Sequence, residues 1–336
     1  MPVTIKDVAK KANVSSATVS LVVNKNKRIS EETRARVLKA IKDLNYHPSR
    51  LARGLVSKQS GNIGLILTDD HFSRSEPFYT KIFIGTEFQA RDDQYYVLLT
   101  TIPKSFKKCD PIPRFILERN VDGIILAGKV PQNIIDCLEE YKLPTVFVDY
   151  YPIQGNYPVV MSDNIAGGSQ ATQHLIQCGH RCIAFIAGDL NHPSIMERFQ
   201  GYKMALEKAH LVPLAVSNGS TTDRNGGYKT AQKLFAKTND ITAIFACNDA
   251  MAIGVLQYLR EKNIRVPKDI SIIGFDDVEA DLSLDPPLTT MRVNKEEMGI
   301  QAVRLVVEML QNKTTKPRKI LVPVELIVRG STCGIK

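Results

Sequence analysis

Residues 4–24 read TIKDVAKKANVSSATVSLVVN and carry two short helix patterns on either side of a polar turn. Thr4 can cap the first helix with Asp7 at the third helical position, which is the arrangement of a capping box. The apolar face of that helix recurs at helical spacing and comprises Ile5, Val8, Ala9 and Ala12. A second start follows at Ser15, and its apolar face comprises Val19, Val22 and Val23. The stretch therefore predicts either a helix-turn-helix that enters the DNA major groove or a plain helical hairpin that caps a larger domain.

The positive charge of the chain is concentrated around this stretch. Residues 1–60 contain 13 Lys and Arg against 4 Asp and Glu, a net charge of +9 that equals the formal net charge of all 336 residues. The remaining 276 residues balance at 31 positive and 31 negative side chains. A basic segment that coincides with two paired helices is the electrostatic footprint of phosphate binding, so the charge favours the DNA-binding interpretation.

A third helix is predicted after Ser30, because Glu31 and Glu32 suit the positive N-terminal end of a helix. It is expected to end at Asn45, and its buried stripe to comprise Val37, Leu38, Ile41 and Leu44. Residues 46–58, YHPSRLARGLVSK, have Leu51, Ala52 and Leu55 on one possible helix face, but Gly54 disfavours a helix there. This segment is expected to fold only with a partner, and a flexible linker is the alternative.

Length and composition limit what the chain can be. At 336 residues and 43% hydrophobic, it is long enough for a small module and about two larger lobes. No stretch reaches the roughly 20 apolar residues of a membrane span, and the first residues lack the apolar part of a signal peptide. We therefore expect a cytoplasmic protein with no membrane partner. The six cysteines are scattered, most of them in apolar runs, which predicts reduced thiols.

Residues 3–55 contain the motifs VTIKDVAKKANVS, ATVSLVVN, ISEETRARVLKAIKDLNYHPS and LARGL. Together they resemble the DNA-binding headpiece of the LacI family of bacterial transcription regulators. The resemblance implies that these residues of the recognition helix face DNA: Ser15, Ser16, Ala17, Thr18, Ser20, Leu21 and Asn24. It also implies phosphate contacts, which fix register without reading sequence, by Ile5, Lys6, Ser30, Thr33 and Tyr46.

The same resemblance implies a hinge helix in residues 47–60. Ala52 and Leu55 would face DNA there, with Leu55 as the apolar wedge that opens a minor-groove step together with its copy in a dimer. One position departs from a frequent pattern of the family. Many members carry Arg after the TVS motif, whereas Leu21 offers only an apolar contact, for example with a thymine methyl group.

The rest of the chain alternates apolar runs with helical patterns. Runs suited to strands span residues 62–68, 95–100, 121–127, 145–149, 182–187, 242–247 and 270–275, and a helical pattern surrounds residues 83–90. Apolar strands separated by helices predict parallel sheets that are covered on both faces. About ten such strands suit two doubly wound lobes better than one. Ligands bind beyond the C-terminal strand ends of such sheets.

Those predicted strand ends are polar. They carry Asp69, Asp70, Asp149, Asn248, Asp249, Asp276 and Asp277, while Arg198 lies in a loop-to-helix stretch and Phe78 and Tyr79 follow the first strand. Carboxylates, an amide and an Arg that converge on a cleft suit a ligand rich in hydroxyl groups, and the aromatic rings could supply an apolar wall. The alternative is that Asp and Asn at strand ends cap the following helices.

The LacI resemblance extends over this region through GHRCIAFIAG, ERFQGY, CNDAMAIGVLQYL, VPKDISIIGFDD and PPLTTMRV. It implies a core similar to periplasmic sugar-binding proteins, with two lobes crossed by three strands and an effector in the cleft between them. By motif match, Arg198, Asn248 and Asp276 are the strongest effector contacts, and Asp249, Asp163, Phe78 and Tyr79 are weaker ones. Residues 104–114 and 217–225 depart from the family pattern, and the second stretch helps to shape effector choice.

The expected fold is an all-α helix-turn-helix headpiece plus an α/β periplasmic-binding-protein-like core of two doubly wound parallel-sheet lobes. The headpiece is expected in residues 1–46, the hinge or linker in 47–60, and the effector-binding and dimerisation core in 61–336. Within the core, lobe one is expected in about 61–162 and 291–322, and lobe two in about 163–290 and 323–336.

Signals for catalysis or metal binding are weak. GIILAGK, residues 123–129, matches part of a phosphate loop, but Val130 replaces the required Ser or Thr, so a buried strand is predicted. His174, Cys178, His180 and Cys182 have metal-like spacing, yet a closed site needs four converging ligands. No nucleophile elbow or HExxH pair is present. We expect no catalytic residue, no cofactor and no metal.

The function that fits these observations best is a transcriptional regulator, expected to be a repressor, that binds double-stranded operator DNA as a homodimer and responds to a small, sugar-like effector. A nucleoside or purine effector and a protein corepressor are alternatives. A sugar enzyme with a DNA-binding module would need a phosphate loop or a positioned base, and the sequence shows neither.

Overall fold

The structure is a computed structural model that describes residues 3–23, 28–46, 59–71, 78–152, 155–217, 221–238, 240–312 and 316–335. The chain forms two compact units, Met1–Gly61 with Arg119–Val121 and Asn62–Glu118 with Asp122–Lys336. We call the three-helix part of the first unit the headpiece and the second unit the core.

Three helices build the headpiece: α1 (Ile5–Ala12), α2 (Ser16–Val23) and α3 (Glu31–Asp43). The Asp7 carboxylate accepts the backbone N–H of Thr4 at 2.8 Å and its hydroxyl at 2.7 Å, which fixes the start of α1. Ser15 caps α2 with its own side chain, since its Oγ accepts the N–H of Thr18 at 3.1 Å. Val8, Val19, Val22 and Val37 form the centre of a small apolar core.

Leu38 departs from the expected buried stripe of α3. Its side chain is 51% exposed, whereas Ala40 is buried. Successive residues of a helix are separated by about 100°, so Ala40 and Ile41 return to the side of Val37 one turn later, while Leu38 points away from it.

The core contains twelve strands in its described residues. They are β1 (Asn62–Thr68), β2 (Tyr96–Ile102), β3 (Gly123–Ala127), β4 (Thr145–Val148), β5 (Val159–Ser162), β6 (Ile183–Ala187), β7 (Leu214–Ser217), β8 (Ala243–Ala246), β9 (Ser271–Asp276), β10 (Thr289–Val293), β11 (Lys319–Val322) and β12 (Val324–Ile327). All seven predicted strand segments form strands. The sequence did not predict β5, β7, β10, β11 or β12 as strands; β7, β11 and β12 are only partly buried and lack a continuous apolar run.

Helices cover both faces of the sheets. They are α4 (Phe78–Asp92), α5 (Arg114–Leu117), α6 (Gln132–Glu140), α7 (Asn164–Gln177), α8 (Pro193–Lys208), α9 (Arg224–Phe235), α10 (Asp249–Glu261) and α11 (Lys295–Asn312). The α7 and α8 backbones approach closely at Gly168, where an added Cβ would lie 2.2 Å from the carbonyl oxygen of Arg198. In the described part of the chain, no helix is long and apolar enough to cross a membrane.

The strands form two six-stranded sheets, in the orders β11-β5-β4-β3-β1-β2 and β12-β10-β9-β8-β6-β7. Each sheet with its helices is one lobe, which confirms the expected fold class. One pairing is not parallel, because β12 runs antiparallel to β10. The chain enters β12 directly from β11 through Pro323, without the helix that a parallel crossover requires.

The chain passes between the two sheets at three places. It leaves the first sheet between Ser162 and Asn164, returns between Val293 and Lys295, and leaves again at Pro323. The second passage lies three residues beyond the boundary expected at 290/291. The reason is that β10 continues to pair with β9 and β12 as far as Arg292 and Val293.

Candidate functional site

A cavity of about 340 Å³, which we call the cleft, lies at the carboxyl ends of strands from both lobes. Lobe one contributes residues that follow β1 and β4, and lobe two contributes residues that follow β6, β8 and β9. Five of the seven predicted effector residues line it: Phe78, Tyr79, Arg198, Asn248 and Asp276. Their convergence follows from parallel strand direction, which places the carboxyl ends of a sheet at one edge.

Arg198 is held at the floor of the cleft by contacts on every side. Its Nε donates to Oδ1 of Asn164 at 2.8 Å and its Nη1 to the carbonyl oxygen of Cys247 at 2.7 Å. The guanidinium lies over the Phe275 ring at 3.8 Å. Only 4% of the residue is exposed. A buried cation with this many partners is fixed in orientation before any ligand arrives.

Asp276 is the acidic partner of Arg198. Nη2 of Arg198 lies 3.3 Å from Oδ1 of Asp276, yet this oxygen is buried and has no hydrogen-bond partner among the described residues, so the contact is an ion pair of imperfect geometry. The backbone of Asp276 has a positive φ of 120°. Burial, with additions from Asp249 and Asp149, raises the pKa of Asp276 to about 7 against the opposing charges of Arg198 and Lys295. An unpartnered buried oxygen at this position suits a ligand hydroxyl.

Asp149 supplies a second carboxylate from the opposite lobe. Its Oδ2 accepts the hydroxyl of Tyr79 at 2.9 Å, and its Oδ1 accepts the hydroxyl of Ser194 at 2.8 Å. The residue follows β4 directly with a left-handed backbone, φ 63°, and its side chain lines the cleft. The sequence pointed to Asp149 as a polar strand end but not as an effector contact, because its motif is not distinctive.

An aromatic wall faces these carboxylates. His71 stacks on Tyr79 with ring centroids 4.6 Å apart, and Phe78 meets Tyr79 edge-on at 5.1 Å. Burial first, and then Asp149, raises the pKa of the Tyr79 hydroxyl well above its ordinary value, so Tyr79 remains a hydrogen-bond donor. Burial lowers the pKa of His71, so the imidazole is neutral at pH 7.

Asn248 both caps a helix and lines the cleft. Its Oδ1 accepts the N–H of Met251 at 2.9 Å at the start of α10, and its Nδ2 donates to the carbonyl oxygen of Thr222 at 2.9 Å. Helix capping, which was the alternative for strand-end residues, therefore applies here together with exposure to the cleft.

Two predicted effector residues do not line the cleft. Asp249 is fully buried beneath it, where Oδ1 accepts the hydroxyl of Thr290 at 2.6 Å. Asp163 caps α7, because its Oδ1 accepts the N–H of Ala166 at 3.1 Å. Both side chains are thus bonded at the start of a helix or beneath the cleft, and their roles as effector contacts stay predictions.

The cleft also contains residues that the sequence did not single out. His192 and Ser194 come from the start of α8, Thr222 and Arg224 from the start of α9, and Ile253 from α10. Nδ1 of His192 is buried without a hydrogen-bond partner among the described residues, and burial lowers its pKa. Ser194 and His192 lie within six residues of Arg198 on the same helix, which is the one local signal that could have found them.

The headpiece presents most of the predicted DNA contacts on its surface. Ser15, Ala17, Leu21, Lys6 and Ser30 are exposed, and Ser16, Thr18, Ser20, Ile5 and Thr33 are partly buried. Tyr46 differs, because its side chain is 7% exposed and packs in the headpiece core instead of on the surface. Asn24, Ala52 and Leu55 lie outside the described residues.

The weak catalytic and metal signals have structural explanations. Residues 123–127 of GIILAGK form the fully buried strand β3. Nε2 of His174 bonds Oγ1 of Thr332 at 2.9 Å, and Nε2 of His180 bonds the carbonyl oxygen of Cys333 at 3.1 Å, so both rings hold the C-terminal segment. Within the described ranges, no group of three or more His, Cys, Asp or Glu is arranged to hold a metal ion.

Two family models match the chain. Residues 4–49 match the model described as bacterial regulatory proteins, lacI family, and residues 172–332 match that of the periplasmic binding protein-like domain. The first match covers the headpiece helices, and the second covers most of lobe two with parts of lobe one.

Similar proteins extend this likeness over nearly the whole chain. The chain is 36% identical over 339 residues to the HTH-type transcriptional repressor PurR of Haemophilus influenzae (strain PittEE), and this alignment covers 99% of both chains. It is 34% identical over 331 residues to the ribose operon repressor of Escherichia coli (strain K12), which covers 98% of this chain and 99% of the other. The solved lac repressor dimer bound to operator and the anti-inducer ONPF has a TM-score of 0.78 at 29% identity, over 99% of this chain and 100% of that one. These relatives are repressors and not enzymes.

Proposed function

This chain belongs to the lacI family of bacterial regulatory proteins and is a DNA-binding transcriptional repressor, and on that premise we propose that a neutral monosaccharide in the cleft controls its operator affinity. The observation that carries the proposal is the pairing of Asp149 from lobe one with Arg198 and Asp276 from lobe two around a single small cavity. A ligand that bonds to all three holds the lobes together.

The chemistry of the cleft favours hydroxyl groups. Each carboxylate accepts two hydrogen bonds or more, and the guanidinium donates in a fixed plane, so adjacent hydroxyls of a sugar ring can satisfy both kinds of group. The unpartnered Oδ1 of Asp276 and Nδ1 of His192 are positioned to take part. The Phe78 and Tyr79 rings suit the apolar C–H face of the same ring.

Charge favours a neutral sugar over a sugar phosphate. The guanidinium of Arg198 already bonds Asn164 and the Cys247 carbonyl and pairs with Asp276. A phosphate would therefore meet Asp149 and Asp276 without a comparable buried cation among the described cleft residues, and like charges in contact cost several kcal/mol. The volume of about 340 Å³ is near the lower limit of ligand cavities, which suits a monosaccharide.

A nucleobase or nucleoside is the second candidate effector. The stacked His71 and Tyr79 rings offer a flat surface of the kind that binds a planar base. Facing them, however, lobe two contributes mainly the polar and charged side chains of Ser194, Arg198 and Asp276. A planar base would leave those groups with fewer partners than a sugar would.

The proposed mechanism is a shift between two lobe arrangements. An ion pair of 2.7 Å joins Lys129 of lobe one to Asp189 of lobe two, so this arrangement of the lobes has one contact that needs no ligand. A sugar that contacts both lobes adds stability to that arrangement in proportion to its difference in affinity for the two states. In a homodimer, the two recognition helices would then read two half-sites of an operator with a changed affinity.

The experiment is a thermal-shift screen followed by operator titration. The panel contains D-ribose, other pentoses and hexoses, ribose 5-phosphate, adenosine and hypoxanthine. A ligand at a hundred times its dissociation constant adds about 2.7 kcal/mol to the free energy of unfolding, so a true effector is readily detected. We expect a neutral sugar to bind and to change the affinity for an operator selected in vitro. Binding by hypoxanthine or adenosine alone would replace the sugar proposal with the second candidate.

A further inference from the structure

Two carboxyl groups are buried side by side beneath one wall of the cleft. Asp249 begins α10, and Asp281 lies in the short 3-10 helix Glu279–Ser283; neither has exposed surface. The N–H of Val278 donates to both, at 3.2 Å to Oδ2 of Asp249 and at 2.9 Å to Oδ2 of Asp281. The two carboxyls therefore converge on one N–H group, with no cation bonded to either of them among the described residues. This pair is separate from the cleft residues that would touch an effector.

A hydrogen bond between two carboxyl groups requires a proton, because two carboxylates have only acceptors. Oδ1 of Asp249 already accepts the hydroxyl of Thr290 at 2.6 Å, and Oδ1 of Asp281 has no partner among the described residues. Two ionised carboxylates that accept the same N–H would repel each other in a buried setting. The arrangement is therefore complete only when the pair holds one proton.

The Asp249 carboxyl has no room to move towards β9. An added Cβ on Gly274 would lie 2.1 Å from Oδ1 of Asp249, so the carboxyl packs directly on the backbone of β9. On the other side it fixes the N–H of Val278, and Val278, Glu279 and Ala280 line the cleft. Movement of either carboxyl would thus be transmitted to the cleft wall.

We propose that Asp281 is a positioning residue for the effector, which holds Val278, Glu279 and Ala280 in place through the proton that it shares with Asp249. Loss of this proton releases the wall and weakens effector binding. The expected effect on effector binding rests on the proposed effector site. The expected effect on the position of the wall does not.

The surrounding charges do not replace the proton. Arg329 lies near Asp281, but its Nη2 pairs with Asp277 at 2.5 Å, and Asp277 also binds Nε of Arg292 at 2.6 Å. Lys295 faces the pair from α11, but its Nζ donates to the carbonyl oxygen of Asp276. The carboxyls of Asp276 and Asp277 add negative charge. A second ionisation of the pair would therefore be poorly compensated.

The sign of the pH dependence follows from burial. Burial raises the pKa of Asp281 to about 6 and raises that of Asp249 well above its ordinary value. The folded pair therefore retains a proton at a pH where an exposed carboxyl has lost it. Raising the pH through the upper pKa of the pair places two charges in one buried site. Effector affinity is expected to fall in that direction.

The test compares the pH profiles of D-ribose affinity, measured by calorimetry on the full chain between about pH 6 and 9, for the wild type, Asp281→Asn and Asp285→Asn. The wild type is expected to lose affinity about tenfold per pH unit above the upper pKa of the pair. Asp281→Asn should lose the part of this dependence that comes from the pair, because its amide N–H can donate to Asp249 at every pH, and it should keep only the dependence caused by other groups such as Asp276. Asp285 is exposed in the following segment, so Asp285→Asn should follow the wild type. Asp276 titrates in all three proteins and cancels in the comparison.

An unchanged slope in Asp281→Asn would overturn the proposal. A second readout needs no ligand: hydrogen exchange of the Val278 amide, corrected for the intrinsic effect of pH. Protection should fall with rising pH in the wild type and persist in Asp281→Asn, and equal behaviour of the two would also overturn the proposal. If D-ribose does not bind at any pH, ribose is excluded as the effector, and this exchange experiment still decides the role of Asp281.

Discussion

Arg198 and Asp276 are joined by an ion pair of 3.3 Å at the floor of the cleft, and both are almost fully buried. The pair belongs to lobe two, but Arg198 also bonds Asn164, which lies where the chain has just left the sheet of lobe one. A ligand that contacts Arg198 therefore contacts a residue that is hydrogen-bonded to one of the segments that connect the two lobes. This relationship makes Arg198 the first residue to test.

Arg198→Ala should abolish the response to effector while operator affinity is retained. Each hydrogen bond from the guanidinium to a sugar hydroxyl is expected to contribute about 1.5–3 kcal/mol, so its loss should lower effector affinity by about tenfold or more. The measurement is calorimetry with the sugar identified by the screen, followed by operator titration with and without it. A normal response in this variant would show that the effector binds elsewhere.

Two further variants separate binding from folding. Arg198→Lys keeps the charge but loses the planar donors, and it should still weaken effector binding while it preserves more stability than Arg198→Ala. Arg265→Ala removes an exposed arginine that pairs with Asp269, and neither residue lines the cleft. That control should leave effector affinity unchanged.

Tyr79→Phe should weaken effector binding without loss of the fold. The change removes the hydroxyl that donates to Asp149 at 2.9 Å, and a hydrogen bond to a charged group contributes about 1.5–3 kcal/mol. Tyr228→Phe is a matched control, because it removes a hydroxyl that donates to Glu261 at 2.6 Å outside the cleft. Similar effects of both variants on effector affinity would argue against a binding role for Asp149.

Leu21 and Val22 are neighbours in α2 with opposite roles. Leu21 is 39% exposed, so Leu21→Ala should leave the headpiece folded and lower specific operator affinity by about 1–3 kcal/mol. Val22 is buried, so Val22→Ala should instead lower the free energy of unfolding by about 1–3 kcal/mol. Operator titration and thermal unfolding of both variants distinguish the two. Intact specific binding by Leu21→Ala would remove Leu21 from the DNA-reading face.

Leu55 lies outside the described residues, and its role as a minor-groove wedge remains a prediction from the family resemblance. Leu55→Ala should weaken specific operator binding by about tenfold or more, because the cost of opening a base step is no longer offset. Non-specific binding should change little, since it depends on phosphate neutralisation. The measurement is parallel titration of operator and random DNA, and equal losses of affinity for both would contradict the hinge hypothesis.

Acidification should destabilise the core through His71 and His192. Burial lowers the pKa of both side chains, so below about pH 6.5 the unfolded chain takes up protons that the folded cleft does not. Stability from these groups is present above their unfolded pKa and is lost as the pH falls towards the folded value. The raised pKa of Asp276 acts in the opposite direction.

This prediction is therefore tested by comparing two proteins for the change in free energy of unfolding on acidification. Urea unfolding of the wild type and of the double variant His71→Gln, His192→Gln is followed at pH 7.5 and at pH 5.5. The wild type should lose more free energy of unfolding on acidification than the double variant. Equal losses would mean that the two rings are solvated in the folded protein.

The sequence by itself determined the three headpiece helices, seven of the described strands and the regulator family. The capping residues Thr4, Ser15 and Ser30 and the apolar periodicity of the headpiece act within one turn of helix, so local rules sufficed to place α1, α2 and α3. The buried runs that became β1, β3 and β8 are equally local signals. Motifs then identified Arg198, Asn248 and Asp276, which do line the cleft.

Only the tertiary structure decided which side chains share a surface. It placed Tyr46 in the headpiece core, removed Asp249 and Asp163 from the cleft, and brought Asp149 and His192 into it. These outcomes depend on contacts between residues that are distant in sequence, such as the 70 positions between Tyr79 and Asp149. Local periodicity cannot report them, because the direction of a side chain at a strand end is set by the turn that follows and by the lobe that faces it.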